Sequence, residues 1–147
     1  MIYEIKDAFG NRVKLQPRIE LYGVTDSFGN KLPGLGVMLD EVGASTAYTR
    51  PYAALTVSFG EFIGIKDSAY IDVNNCDFAN QLLEQGIAEN TGFSKASGFC
   101  HYPLWHFTEN FLREHGPENY EKYSAAYDRY MGVEAEEPTK SMEMGGM

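Results

Sequence analysis

The first half of the chain alternates between segments of strand character and short turns. The pentapeptide DAFGN at 7–11 recurs as DSFGN at 26–30. In each copy the Asp can accept bonds from backbone amides ahead of it, and the Gly can take the positive φ of a short hairpin loop. Apolar and β-branched residues dominate the flanking segments, which predicts antiparallel hairpins. These segments are MIYEI, RVKLQPRIELYGV, KLPGLGVML, YAALTVSFG and the alternating SAYIDVNN.

The pattern changes to a helical one after residue 75. Asn75 is a good N-cap, and Phe78, Leu82 and Leu83 form one apolar stripe, so a helix is predicted at 76–86, ending at Gly86. The polar stretch AENTGFSKAS at 88–97 is expected to be a loop.

Two helices are predicted near the C-terminus. Thr108 can cap a helix over 108–115 that Gly116 ends, and Pro117 can open a second helix over 117–131. At 100° per residue, four tyrosines of the second helix lie within about 80° of one another. These are Tyr120, Tyr123, Tyr127 and Tyr130.

We therefore predict one α+β domain at residues 1–132, followed by an acidic flexible tail at 133–147. A mainly antiparallel sheet from residues 1–73 and 99–106 would carry the three helices on one face. The tail, VEAEEPTKSMEMGGM, has no periodicity.

Charge and composition narrow the classes of function. The net charge of −9 argues against direct binding of nucleic acid, because phosphate binding needs concentrated Lys and Arg. Residues 109–147 hold 9 acidic and 4 basic side chains, a net charge of −5, which is more than half of the excess. No apolar run reaches the roughly 18 residues of a membrane helix, and no export signal begins the chain. We expect a cytoplasmic protein whose two Cys are reduced thiols.

The segment SGFCHYPLWHF at 97–107 brings together the residues with the most reactive side chains. In a strand, Cys100 and His101 point to opposite faces, and Cys100 and His106 are roughly 20 Å apart. A nucleophilic dyad needs about 3 Å, and a zinc site needs four ligands with other spacings. We therefore predict a strand with a buried, inert Cys100 and with Pro103 at a sheet edge or bulge. No catalytic residue, cofactor or metal ligand is predicted.

Residues 52–107 resemble an uncharacterised small domain family. The order ALTVSF, AYIDVNN, a short helix, GIAENTG and SGFCHYPLWHF carries the resemblance, and the last segment is its most specific part. The resemblance implies cargo of conjugative plasmids, integrative elements and phages of Gram-positive gut bacteria, and it assigns no activity and no catalytic residue. Small acidic proteins in that setting often inhibit restriction or CRISPR defences by presenting carboxylates where the target expects phosphates.

Three hypotheses of function follow. The first is a non-catalytic acidic protein that binds a host protein, such as a nucleic-acid-handling defence protein, and the second is an accessory or regulatory protein of conjugation. The third is a small enzyme with a site assembled from distant residues.

The tyrosine row of the helix at 117–131 has two possible roles. Either the tyrosines dock on the sheet and leave an acidic face outside, or they bind a partner or a second copy of the chain. The partner-binding candidates are Glu118, Glu121, Asp128, Tyr123 and Tyr127.

Overall fold

The structure, a computed structural model, describes residues 1–43 and 48–132. It contains two four-stranded antiparallel sheets and three helices, two of them C-terminal, which confirms the α+β class. The first sheet has the order β1 (Tyr3–Lys6), β2 (Arg12–Thr25), β3 (Lys31–Val42), β4 (Thr49–Ala54). The second sheet, from edge to edge, is β5 (Thr56–Val57), β6 (Ser68–Ile71), β8 (Cys100–Phe107), β7 (Ala88–Ser97). The helices are α1 (Ala79–Glu84), α2 (Glu109–His115) and α3 (Pro117–Met131).

The expectation of a single sheet was wrong, because the chain changes sheet at Leu55. The amide of Leu55 donates to the carbonyl of Val37 in β3 at 3.0 Å, and its carbonyl accepts from Asp72 after β6 at 2.9 Å. The hydroxyl of Thr56 accepts from the Val37 amide at 3.0 Å. These bonds connect the second sheet to β3.

The acidic tail predicted at 133–147 lies outside the described residues.

The two DxFGN segments form the predicted hairpin turns. Oδ1 of Asp7 accepts from the amides of Phe9 and Asn11, both at 2.9 Å, and Asp26 repeats the arrangement at 2.9 and 2.8 Å. Gly10 and Gly29 take φ values of 83° and 84°. The same five-residue sequence therefore folds the same way at both ends of β2.

Replacing Gly10 or Gly29 with Val is expected to destabilise the fold by about 1–2 kcal/mol each, because a β-branched residue is strained at positive φ. A Cβ at either position meets nothing within 4 Å, so any loss reflects backbone conformation and not a clash. Chemical denaturation measures the change. If both variants unfold at the wild-type midpoint, the glycines are not needed for these turns.

Helix α1 is shorter than predicted. It spans Ala79–Glu84 with Phe78 at its N-cap, and no side chain caps it. Asn75 instead donates from its side chain to Asp72 at 2.8 Å, so it closes the turn that follows β6. The local pattern DVNN satisfies its own polar groups, which delays the start of the helix.

Residues 88–97, expected to be a loop, form strand β7. Pairing with β8 overrides their polar composition, and a bulge between Asn90 and Ser94 contains Gly92 with a φ of 89°. Strand β8 lies between β6 and β7, so Pro103 is not on an edge strand. It pairs with Ser94 at the end of the bulge, and β6 pairs with β8 only from Leu104 onward. The bulge predicted at Pro103 is therefore present, but it lies in β7 and not in β8.

Helices α2 and α3 begin and end where the sequence predicts. The hydroxyl of Thr108 accepts from the Phe111 amide at 3.1 Å, and Pro117 occupies the first turn of α3. Gly132 ends α3 with a φ of 75°. The two helices pack on β2 and β3. In the described part of the chain, no helix is long and apolar enough to cross a membrane.

Candidate functional site

The tyrosine row of α3 mostly faces the protein interior. Tyr120, Tyr123 and Tyr127 are 1%, 4% and 6% exposed, while Tyr130 at the end of the row is 37% exposed. The hydroxyl of Tyr123 accepts from the Asp67 amide at 2.8 Å. The structure thus contradicts the alternative of an exposed stripe for Tyr123 and Tyr127, which offer a partner very little surface.

The acidic candidates of α3 differ in their surroundings. Glu118 is exposed. Glu121 accepts from Arg113 of α2 at 3.0 Å, and Asp128 binds Lys66 at 2.9 Å. Cations therefore interrupt the acidic face that the helix pattern suggested.

A buried polar cluster forms where the chain enters β6. Asp67 is 8% exposed, and its carboxylate accepts from the Tyr120 hydroxyl at 3.0 and 3.2 Å. Burial raises the pKa of this carboxyl. Asp67 also has a φ of 63°, the one positive value at a non-glycine position in the described ranges. The backbone carbonyl of Asp67 accepts from the Phe107 amide of β8 at 2.8 Å. Asp67 therefore links Tyr120 of α3 to the second sheet.

In the described part of the chain, no hydrogen bond joins Cys100 to either histidine of β8, and Nδ1 of His106 lies 3.4 Å from the Ser68 hydroxyl. Cys100 is half-buried rather than buried as expected, because it lies at the solvent end of the hairpin. His101 is exposed, and Nδ1 of His106 lies 3.0 Å from the carbonyl of Lys66. In residues 1–43 and 48–132, no three His, Cys, Asp or Glu side chains are placed to hold a metal ion.

Thiol labelling should separate the two cysteines. Cys76 is 1% exposed and its thiol donates to the Ala54 carbonyl at 3.4 Å, while burial raises its pKa to about 11. At pH 8 we expect the folded protein to react through Cys100 alone, with Cys76 reacting only after denaturation. Cys100→Ser should abolish labelling of the folded protein. Equal rates at both thiols would contradict the buried position of Cys76.

One loop covers part of the outer face of the second sheet. Strand β8 points Trp105 and Phe107 into the core and presents Leu104 on the opposite face, paired with Tyr70 of β6. We call residues 58–66, which cross this face, the roof segment. Its Phe59 makes edge contacts with Tyr70 and Tyr102 at ring distances of 5.6 and 5.2 Å.

The roof segment leaves part of this face open as a groove of about 330 Å³. Phe93, in the bulge of β7, forms one wall and is 63% exposed. Ile65, which also lines the groove, is 38% exposed. We call this feature the apolar groove; its apolar lining is Phe62, Ile63, Ile65, Tyr70, Phe93 and Leu104.

A second concavity adjoins the groove. This acidic recess, of about 460 Å³, is lined by Thr25, Asp26, Ser27, Glu61, Phe62 and Tyr130. The hydroxyl of Tyr130 donates to the Asp26 carboxylate, and this bond with others from the turn lowers the Asp26 pKa to about 2. Asp26 is therefore fully ionised near neutral pH. Glu61 and Phe62 line both the recess and the groove, so the two form one continuous surface.

Sequence patterns missed this surface. Phe93 lies in the segment expected to be a loop, and the roof segment was given no role beyond the end of a strand. One signal was present: the run EFIGI at 61–65 holds three apolar residues, Phe62, Ile63 and Ile65, without strand alternation or helical spacing. Such residues must either join a core or remain at the surface.

The fold and this surface define a small α+β domain with an open groove and internally bonded polar clusters. Residues 33–127 match the family described as Domain of unknown function (DUF4313), and the chain belongs to that family. The matched range contains the second sheet, the roof segment and Phe93. No curated protein and no solved structure matches the chain.

Proposed function

We propose that this chain is a non-catalytic acidic binding protein of a mobile genetic element that occupies a host protein and inhibits a restriction or CRISPR defence. The mobile-element setting is supported by the sequence resemblance across residues 52–107. Binding rather than catalysis is supported by the arrangement of reactive groups, because the buried Asp67 carboxylate accepts from the Tyr120 hydroxyl and the buried Tyr123 hydroxyl accepts from the Asp67 amide. The net charge of −9 favours a partner with a basic surface.

The apolar groove is the observation that carries this proposal. Large apolar side chains that remain exposed together are typical of surfaces that bind another protein. Phe93 is 63% exposed at one wall, and the acidic recess adjoins it. An apolar centre beside charged groups is the usual arrangement of a protein interface.

A photo-crosslinking amino acid at position 93 tests for a partner in the host bacterium. A second protein carries the crosslinker at Glu118, on the exposed face of α3. We expect position 93 to capture one host protein, which then forms a complex with the purified chain that associates more slowly as salt rises. Capture at 118 alone would move the contact to the acidic face of α3. Capture of nothing at either position, with no complex in pull-down, would refute a binding function.

The inhibitor role has its own assay. Expression of the chain should raise the plating efficiency of a phage, or the establishment of an unmodified plasmid, in a strain with an active defence system. Phe93→Glu should remove this protection while the protein stays folded in a thermal melt. If protection is absent and conjugative transfer frequency changes instead, the role in conjugation replaces the role in defence.

A further inference from the structure

The two DxFGN turns are alike in sequence and bonding but differ in their surroundings. Asp7 and Asp26 accept the same backbone amides, and Phe9 and Phe28 at the turn tips are 89% and 86% exposed. Only the second turn contributes to the acidic recess, through Asp26 and Ser27. The first turn therefore serves as an internal control for what the second turn does.

The hydrogen bonds that hold the Asp26 carboxylate come from neutral groups. In the described part of the chain, its hydrogen bonds come from the hydroxyl of Tyr130, the side chain of Asn30 and two backbone amides, all of them neutral. The carboxylate of Glu61, which also lines the recess, is by contrast paired with the ammonium group of Lys95 at 3.1 Å. A ligand that enters the recess thus meets a fixed negative charge held in place by the turn and by α3.

The recess and the groove share a boundary, and they differ in the side chains that line them beyond it. On one side of Phe62 lie Asp26 and Tyr130; on the other side lie Ile63, Ile65 and Phe93. A single segment crossing Phe62 would therefore place a cationic side chain in the recess and an apolar side chain in the groove. Charge complementarity selects Lys or Arg for the first position, and the apolar lining selects Leu, Met or Phe for the second.

We propose that the acidic recess and the apolar groove together bind a short segment of a partner protein in which Lys or Arg lies within a few residues of Leu, Met or Phe. This inference rests on the proposed function, since it names the chemistry of the partner. It assigns different roles to the two DxFGN turns: both shape hairpins, and the second also supplies the carboxylate that receives the cation. Glu61 contributes a second carboxylate at the boundary, and its bond to Lys95 must loosen for it to accept a ligand.

A library of random 12-residue peptides displayed on phage, selected on the immobilised full chain, tests the proposal. We expect the enriched peptides to pair Lys or Arg with Leu, Met or Phe. The best peptide is then synthesised and titrated by fluorescence anisotropy against four variants. Phe93→Glu should weaken binding at least about ten-fold and Asp26→Asn about three- to ten-fold. The matched controls, Phe99→Glu on the same hairpin and Asp7→Asn in the other turn, should stay within about two-fold.

Each control is close to its test residue in structure. Phe99 is fully exposed and lies outside the groove lining, so Glu there changes charge and hydrophobicity without touching the proposed site. Asn keeps an acceptor oxygen for the turn amides at positions 7 and 26, but at position 26 the oxygen that accepts from Tyr130 is also replaced. The melting temperatures of both Asn variants are therefore measured, and when they are similar a difference in peptide binding reports the charge in the recess.

The outcomes separate this inference from the proposed function. Enriched peptides without a basic residue, equal weakening by Asp7→Asn and Asp26→Asn, or no enrichment would each overturn the inference. If position 93 nevertheless crosslinks a host protein in cells, the binding function stands and only the partner chemistry is wrong. If the peptides bind as expected and no host protein is captured, the site holds and the proposed function fails.

Discussion

Gly116→Ala is expected to lower the free energy of unfolding by about 3 kcal/mol, because a side chain at this position has no room. Gly116 joins α2 to α3 and faces β2. A Cβ built there would lie 2.4 Å from the Cβ of Ile19 and 3.3 Å from its Cα, so the helices would have to move away from the sheet. Asn119 would then lose its 2.9 Å bond to the Ile19 carbonyl. Urea denaturation measures the loss.

Gly23→Ala is the matched control for Gly116→Ala. Gly23 lies in the same strand as Ile19, and a Cβ there meets nothing within 4 Å. We expect its unfolding midpoint to equal or slightly exceed that of the wild type, because Ala restricts the unfolded chain more than Gly does. A Gly116→Ala protein as stable as Gly23→Ala would show that the helix pair can shift off β2 at little cost.

Local sequence predicted the elements whose bonds are local. The DxFGN turns, the Thr108 cap and Gly132 each satisfy backbone groups within about five residues, so sequence alone identifies them. Strand β7 was missed because its hydrogen bonds go to β8, and only that pairing makes the polar stretch 88–97 extended. The division into two sheets was missed for the same reason, because the hydrogen bonds of Leu55 and Thr56 reach residues far along the chain.

The candidate site shows the same difference between local patterns, which the sequence reveals, and long-range contacts, which it does not. Helical periodicity placed Tyr120, Tyr123 and Tyr127 on one face, but it does not say whether that face meets protein or solvent. The answer depends on Asp67, which is more than fifty residues earlier in the chain and bonds the hydroxyls of Tyr120 and Tyr123 through its carboxylate and its amide. The ion pairs of Glu121 with Arg113 and of Asp128 with Lys66 are also tertiary contacts, so helical periodicity does not reveal them. The apolar groove has no counterpart in any single segment, since it forms between the roof segment and the bulge of β7.

The Asp67 cluster makes the stability of the protein depend on pH in a direction that the structure sets. Burial raises the pKa of the Asp67 carboxyl above its value in the unfolded chain; the Tyr120 bond and the charges of Lys66 and His106 lower it, and the charge of Glu109 raises it. A raised pKa means that the folded state holds the proton more tightly. The contribution of Asp67 to stability is therefore fully present below the ordinary carboxyl pKa and is lost as pH rises through the raised value.

Two variants isolate this contribution. In Asp67→Asn the amide oxygen can still accept from Tyr120, and Asn tolerates a φ of 63°, so the fold is kept without an ionisable group. We expect Asp67→Asn to match the wild type near pH 3 and to be more stable than the wild type at pH 7. Tyr120→Phe removes the donor and leaves a buried carboxylate without that bond, which should cost about 1–3 kcal/mol at pH 7 and less at pH 3.

Urea denaturation of the wild type and both variants at pH 3, 5 and 7 measures these differences. Asp67→Ala serves as a further control, since Ala neither accepts from Tyr120 nor favours positive φ, and it should be less stable than Asp67→Asn at every pH. The difference between wild type and Asp67→Asn should grow with pH and then level off once Asp67 is fully ionised. A difference that shrinks as pH rises would mean that the folded state favours the ionised carboxylate, and that the bond from Tyr120 together with the charge of Lys66 outweighs the cost of burial.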